Sequence, residues 1–286
     1  MHLFNNFNPC TIPRNVIKSA LLIFSLILTA TSMAAQASIT PPAVNPSITD
    51  GAAINIAGRQ RMLSERMVKA YIQLCIDVDT QKAHAQLDGA SALFKKQLGQ
   101  LNDYAPNKKI TQGLVAVQQQ WDQLEGIVND LPTTSKIPEL IILGEELVAR
   151  SHQVVLDIQR FSGSSSAVLV NISGRQRMLS QRMAKYYFAH LSGLRHNETV
   201  ERFETTLGEF EKGLADLTKA PENSKEIAKA LKKVDAQLRF SKSGFKHLDK
   251  GNYTPHVISR TTESMLKRMD NITQQYATLH DQLKSN

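Results

Sequence analysis

From Ala52 onward apolar residues recur at three- and four-residue spacing almost without interruption, and no stretch alternates with the period of two that a half-buried strand requires. The first run covers Ala52 to Val78, with Ile56, Leu63, Met67, Ala70 and Leu74 on one stripe. A second covers Gln81 to Tyr104 on Leu87, Leu93 or Phe94, Leu98 and Leu101, and Ala105-Pro106-Asn107 ends it. The third, Lys108 to Asn129, carries Ile110, Leu114, Val117, Trp121, Leu124 and Val128. After the turn from Leu131-Pro132 to Lys136, Pro138 suits the first turn of a fourth helix reaching about Phe161, with Ile141, Leu147, Val148, Val154, Val155 and Ile158 inward.

Ser162 to Ser166 breaks the pattern, and the same order then returns. The runs are Ala167 to Leu194, Glu198 to Leu217, Ser224 to Leu248, and Thr254 to near the end. Phe210, Leu214 and Leu217 stand where Phe94, Leu98 and Leu101 stood. Ile227, Leu231, Val234 and Leu238 answer Ile110, Leu114, Val117 and Trp121, and Pro255 answers Pro138. The strongest correspondence lies between Ile54–Tyr71, INIAGRQRMLSERMVKAY, and Val170–Tyr187, VNISGRQRMLSQRMAKYY: thirteen of eighteen positions are identical at an offset of 116. The chain is therefore a tandem duplication, and the pattern predicts an all-α protein of two four-helix modules, 48–162 and 163–286.

At 286 residues the chain is long enough for real cores without covalent staples. Its start reads as a secretory signal over residues 1–37: Arg14 and Lys18 precede an apolar run, Leu21 to Leu28, too short to span a bilayer, and Ala35-Gln36-Ala37 suits cleavage. Periplasmic export is the expectation. Residues 38–47, with Pro41, Pro42 and Pro46, form an extended lead-in. Cys10 leaves with the signal, so Cys75 has no intramolecular partner and reads as an inert core residue. The net charge of +8, lowered to +6 once Arg14 and Lys18 leave with the signal, suggests an anionic ligand, an anionic surface or simply solubility, whereas export and a single tryptophan argue against nucleic acid.

Helical phase sorts the arginines of the repeat. Gln60 shares the core stripe, Arg59 and Arg66 fall on the outer side, and Arg61 lies on a flanking face with Ala57, Ser64 and Val68. In the second copy that face reads Ser173, Arg177, Ser180 and Ala184. Small residues above and below a long cation let a second helix approach, so the guanidinium projects into a seam. A charge at such a seam is costly unless neutralised. Glu65 is the one acid in the first copy of the motif, and Gln181 replaces it in the second, so a countercharge must come from another helix or from a bound anion. Arginine meets a planar oxyanion through two parallel hydrogen bonds. Gly58 and Gly174 permit close approach one turn earlier, and Asn55 and Asn171 either contact a ligand or cap a local bend. Arg59, Arg66, Arg175 and Arg182 read as rim or surface charges.

The string INxxGRQRMLSxRM resembles the PilJ-type domain, the N-terminal sensor module of type IV pili methyl-accepting chemotaxis transducers, itself similar to the nitrate/nitrite sensor domain of NarX-type kinases. The resemblance covers both modules. It implies four-helix bundles that pair through their first helices, with nitrate or nitrite held at a two-fold seam by one arginine from each, here Arg61 and Arg177, beside Gly58 and Gly174. It also implies a membrane-bound receptor, kinase or cyclase as partner, because such sensors carry transmembrane segments that residues after Ser38 do not supply. Two geometries remain open. The five-residue break spans at most roughly 17 Å, which allows either side-by-side bundles forming a fused pseudo-dimer or bundles stacked end to end.

The leading expectation is an exported small-anion sensor with no cofactor. The alternative is a periplasmic adaptor of a type IV pilus or chemosensory system that binds helices and no small molecule. An enzyme is not expected: the eight histidines are scattered, with no His-x-x-x-His or Glu-x-x-His pair, and no serine or cysteine nucleophile has a readable base.

Overall fold

The computed structural model describes residues 48–194, 196–245 and 255–285, all within one compact unit. The expected signal segment and lead-in lie outside the described residues, as does the end of the seventh predicted run at Leu248. The described residues form eight helices and no strand: α1 (Asp50–Cys75), α2 (Thr80–Tyr104), α3 (Lys108–Val128), α4 (Ile137–Ser162), α5 (Ser166–Leu191), α6 (His196–Thr218), α7 (Lys225–Phe245) and α8 (Pro255–Ser285). Local chemistry sets their ends. Thr49 and Asn107 accept hydrogen bonds from the Ala52 and Ile110 amides, capping α1 and α3, and Pro138 occupies the first turn of α4.

Most helix ends fall within two residues of the sequence expectation, and backbone geometry explains where α1, α4 and α5 stop. α1 stops at Cys75 instead of Val78, because Asp77 and Asp79 take left-handed backbone conformations, φ 54° and 49°, that a right-handed helix cannot continue. α5 ends at Leu191, with Gly193 left-handed just beyond it. α4 runs one residue past Phe161, and Gly163 (φ 68°) closes it by donating its N–H to the Gln159 carbonyl.

In each half the first helix packs against the second and fourth, and the third leans on the fourth. The halves meet along α1 and α5, with α8 also reaching α1 and α4 reaching α5. Gly58 faces Gly174, and Lys69 reaches Gln181, so the two first helices run parallel and in register. Of the two geometries left open by the break, the chain adopts the side-by-side one. No helix among the described residues is long and apolar enough to cross a membrane.

Residues from both halves join one core. Trp121 stacks on Phe94 with ring centroids 4.6 Å apart, and its counterpart Leu238 is also buried. Ile56, expected at the centre of the α1 stripe, is only partly buried, because α1 is covered on nearly every side and its stripe is not its only inward face. Cys75 is a free thiol, half-buried, and burial pushes its pKa up to about 11, which leaves it unreactive at neutral pH. Truncating Trp121 to alanine opens a large cavity, and urea denaturation followed by far-UV circular dichroism should show a loss of about 3–5 kcal/mol. Trp121→Leu, which copies the other half, should lose clearly less.

Candidate functional site

Arg61 and Arg177 lie at the centre of the seam, 1% and 0% exposed, and each reaches into the opposite copy. Arg61 donates from Nη1 to Asn171 Oδ1 at 3.0 Å and from Nη2 to the Asn171 carbonyl at 3.3 Å. Arg177 donates from Nη1 to Asn55 Oδ1 at 2.8 Å and from Nη2 to the Asn55 carbonyl at 2.9 Å. The two sets of bonds interchange as a two-fold axis along the seam would interchange them. The asparagines thus serve neither as helix caps nor as spacers; each is the polar socket for the other half's arginine.

The glycines create the room. A Cβ placed on Gly58 would stand 3.9 Å from the Gly174 Cα, 3.2 Å from Arg61 Nη2 and 3.4 Å from Arg177 Nη2, and the same distances hold with the copies exchanged. Both Nη2 atoms therefore converge on the glycine crossing. All six residues expected at the site are brought together here. Of the flanking small face, Ala57, Ser64, Ser173, Ser180 and Ala184 are all buried, while Val68 lies over Gly144 of α4.

The charges are not shared evenly. Buried positions of α4 and α8 correspond in order, Leu140 with Ile258, Leu147 with Met265, Ile158 with Tyr276, and this register puts His152 at the place of Asp270. Asp270 accepts from Arg177 Nη1 at 2.6 Å and from Arg59 at 2.8 Å. His152 Nδ1 lies 2.8 Å from Arg61 Nη1. A guanidinium only donates, so that nitrogen accepts and the ring is neutral. Burial, reinforced by the Arg61 and Arg175 charges, pulls His152 down to about 4. No carboxylate among the described residues pairs with Arg61; burial and then the Arg177 charge lower it to about 9. Arg177 is lowered to about 10 by burial and Arg59, with Asp270 opposing them. The Nε–H of each arginine is buried and has no partner.

Toward the helix C-termini the seam becomes a ladder of buried ions. Lys69 donates to Glu263 Oε1 at 2.8 Å and Gln181 Oε1 at 2.9 Å, while Lys185 forms an ion pair with Glu65 Oε2 at 2.9 Å and donates to Glu145 Oε1 at 3.5 Å. Arg182 adds a 2.6 Å bond to Glu65, and Arg66 a 2.7 Å bond to Glu263. Although burial works to raise it, the Arg182 and Lys185 charges hold the Glu65 carboxyl below its ordinary value. Arg59, Arg66 and Arg182, expected at the rim, are instead half-buried in ion pairs between helices, because a fourth helix from the opposite half, or Glu65, covers that side. Only Arg175 is exposed, beside Glu209. Gln60, on the core stripe, donates to the Phe94 carbonyl of α2.

His152, Asp270, Glu145 and Glu263 were not picked out from the sequence. Alignment of the fourth helices on their buried positions is the signal that finds them. No group of His, Cys, Asp and Glu among the described residues is arranged to hold a metal ion.

The chain matches the family model for PilJ, the N-terminal domain of type IV pili methyl-accepting chemotaxis transducers, over residues 44–140 and again over 161–285. It belongs to that family, in two tandem copies. No curated protein and no solved structure matches it.

Glu65→Ala leaves the half-buried Arg182 without its carboxylate and the buried Lys185 with Glu145 alone, and should cost about 3–5 kcal/mol in urea denaturation. Glu65→Gln, which copies Gln181, should cost less. His152 binds its proton near pH 4 in the folded chain and near 6.5 when unfolded, so the unfolded state holds the extra proton between those values. Stability should fall as pH drops through that window, and His152→Asn should flatten that part of the profile.

Proposed function

We propose that this tandem PilJ-family chain is an exported sensory module that holds a small oxyanion, nitrate or nitrite first among candidates, between Arg61 and Arg177, and presents its occupancy to a membrane-bound receptor, kinase or cyclase. One observation carries the reading: a fully buried guanidinium, Arg61, has no carboxylate partner among the described residues. Such a charge costs several kcal/mol to bury, and a diffusible anion relieves that cost where no side chain does.

The donor inventory agrees. Arg61 commits both Nη1 hydrogens, to His152 and Asn171, and one Nη2 hydrogen to the Asn171 carbonyl, which leaves the Nε–H and one Nη2–H. A planar oxyanion accepts two such bonds from one guanidinium. Convergence of both Nη2 atoms on the glycine crossing supplies a donor from the second half as well. An anion drawn in between the first helices changes their separation, and α1 and α5 carry that change along their length.

Calorimetric titration of the signal-free chain with sodium nitrate and sodium nitrite tests the reading. Wild type should release or absorb heat that saturates. Arg61→Ala should weaken binding roughly tenfold or more, the worth of one charge-assisted pair at about 1.5–3 kcal/mol, and Arg61→Lys, which keeps the charge without the fork, should fall between. Absence of heat with either anion overturns the proposal.

A further inference from the structure

We infer that the two-fold site is functionally one-sided: it takes one monovalent oxyanion per chain, on the Arg61 half, while Asp270 is the permanent counter-anion of the Arg177 half. The inference rests on the oxyanion reading above and names the charge class and stoichiometry of its ligand.

Nearly everything at the seam is duplicated. Arg61 and Arg177, Asn55 and Asn171, Gly58 and Gly174 interchange, and so do the pairs Lys69–Glu263 and Lys185–Glu145. The departure that touches the arginines is His152 against Asp270. Both side chains come from the fourth helix of their own half and meet the same atom, Nη1, of that half's arginine, at 2.8 Å and 2.6 Å. One is a neutral acceptor and the other a carboxylate. Equal geometry with unequal charge leaves Arg177 in direct contact with a carboxylate, which it shares with Arg59, and Arg61 in contact with neutral acceptors alone.

That difference in direct partners sets the ligand class. A monoanion makes up the missing charge at Arg61. A dianion would have to draw its second counter-charge from Arg177, whose Nη1 is already committed to Asp270, and it meets that carboxylate across the crossing. A second monoanion on the Arg177 half would have to compete with a carboxylate already 2.6 Å from Nη1. His152 is accordingly a specificity-determining residue: it keeps the place at Arg61 polar enough to hold the guanidinium and neutral enough to leave it needing an anion.

Exchanging the two residues tests this on the full signal-free chain. His152→Asp puts a carboxylate where α8 already shows that one reaches the arginine. It should raise the thermal midpoint in anion-free buffer and weaken nitrate binding at least tenfold, whereas His152→Asn, neutral again, should lose clearly less affinity than His152→Asp. Wild type should bind one nitrate per chain, and sulfate at least tenfold more weakly. Asp270→Asn frees the second arginine and should bind nitrate more tightly than wild type. Unchanged nitrate affinity in His152→Asp with a binding-competent wild type overturns this inference and leaves the oxyanion reading standing. Sulfate binding tighter than nitrate also overturns it. A wild type that binds neither nitrate nor nitrite overturns both.

Discussion

Two guanidinium groups buried side by side at a crossing of two glycines form the constraint from which the rest of the molecule follows. Like charges a few ångströms apart repel far more strongly in a protein interior than in water. The crossing is tolerable only because each arginine is fastened to an asparagine of the opposite helix and because α4 and α8 bring acceptors to both flanks. These requirements place α1 and α5 at the centre, parallel and in register, and push the remaining helices into a shell around them. The hydrophobic core fills in each half behind that arrangement.

Much of the architecture was legible in the chain because periodicity reports which face of a helix is apolar. Leu87, Phe94, Leu98 and Leu101 form a stripe in α2, and that stripe is buried. The misreadings came where that logic is weakest. A helix buried on nearly every side has little outer face, so Arg59 and Arg66, opposite the core stripe of α1, read as rim or surface charges where each in fact reaches a carboxylate of α8. The left-handed aspartates Asp77 and Asp79 carry no local signature that separates them from ordinary helix-end residues. Arg61 and Arg177 were legible because phase put them on a side distinct from the core. Asp270 and His152 were not, since their importance lies in the match between two helices more than a hundred residues apart.

The seam is polar for most of its length, which distinguishes it from the apolar cores behind it. Apolar contacts are forgiving of small slides, whereas a ladder of directed bonds between Lys69, Gln181, Glu263, Glu65 and Lys185 specifies one register and resists intermediate positions. At the far end the chain is tied again. Asp281 of α8 accepts from the Thr49 hydroxyl and the Gly51 amide at the start of α1, and His280 lies between Ser162 and Ser166 at the junction of the halves. The starts of α1 and α5 are thereby both tied to α8 at one end of the bundle.

The short junction after α4, closed by the left-handed Gly163, has a consequence beyond geometry. In a receptor assembled from two copies of one gene product, every substitution arrives twice, so a carboxylate gained on one flank is gained on both. Joined head to tail in a single reading frame, the two flanks answer to separate codons. Mutation can then tune one side of the seam and leave the other untouched, a freedom that no homodimer has.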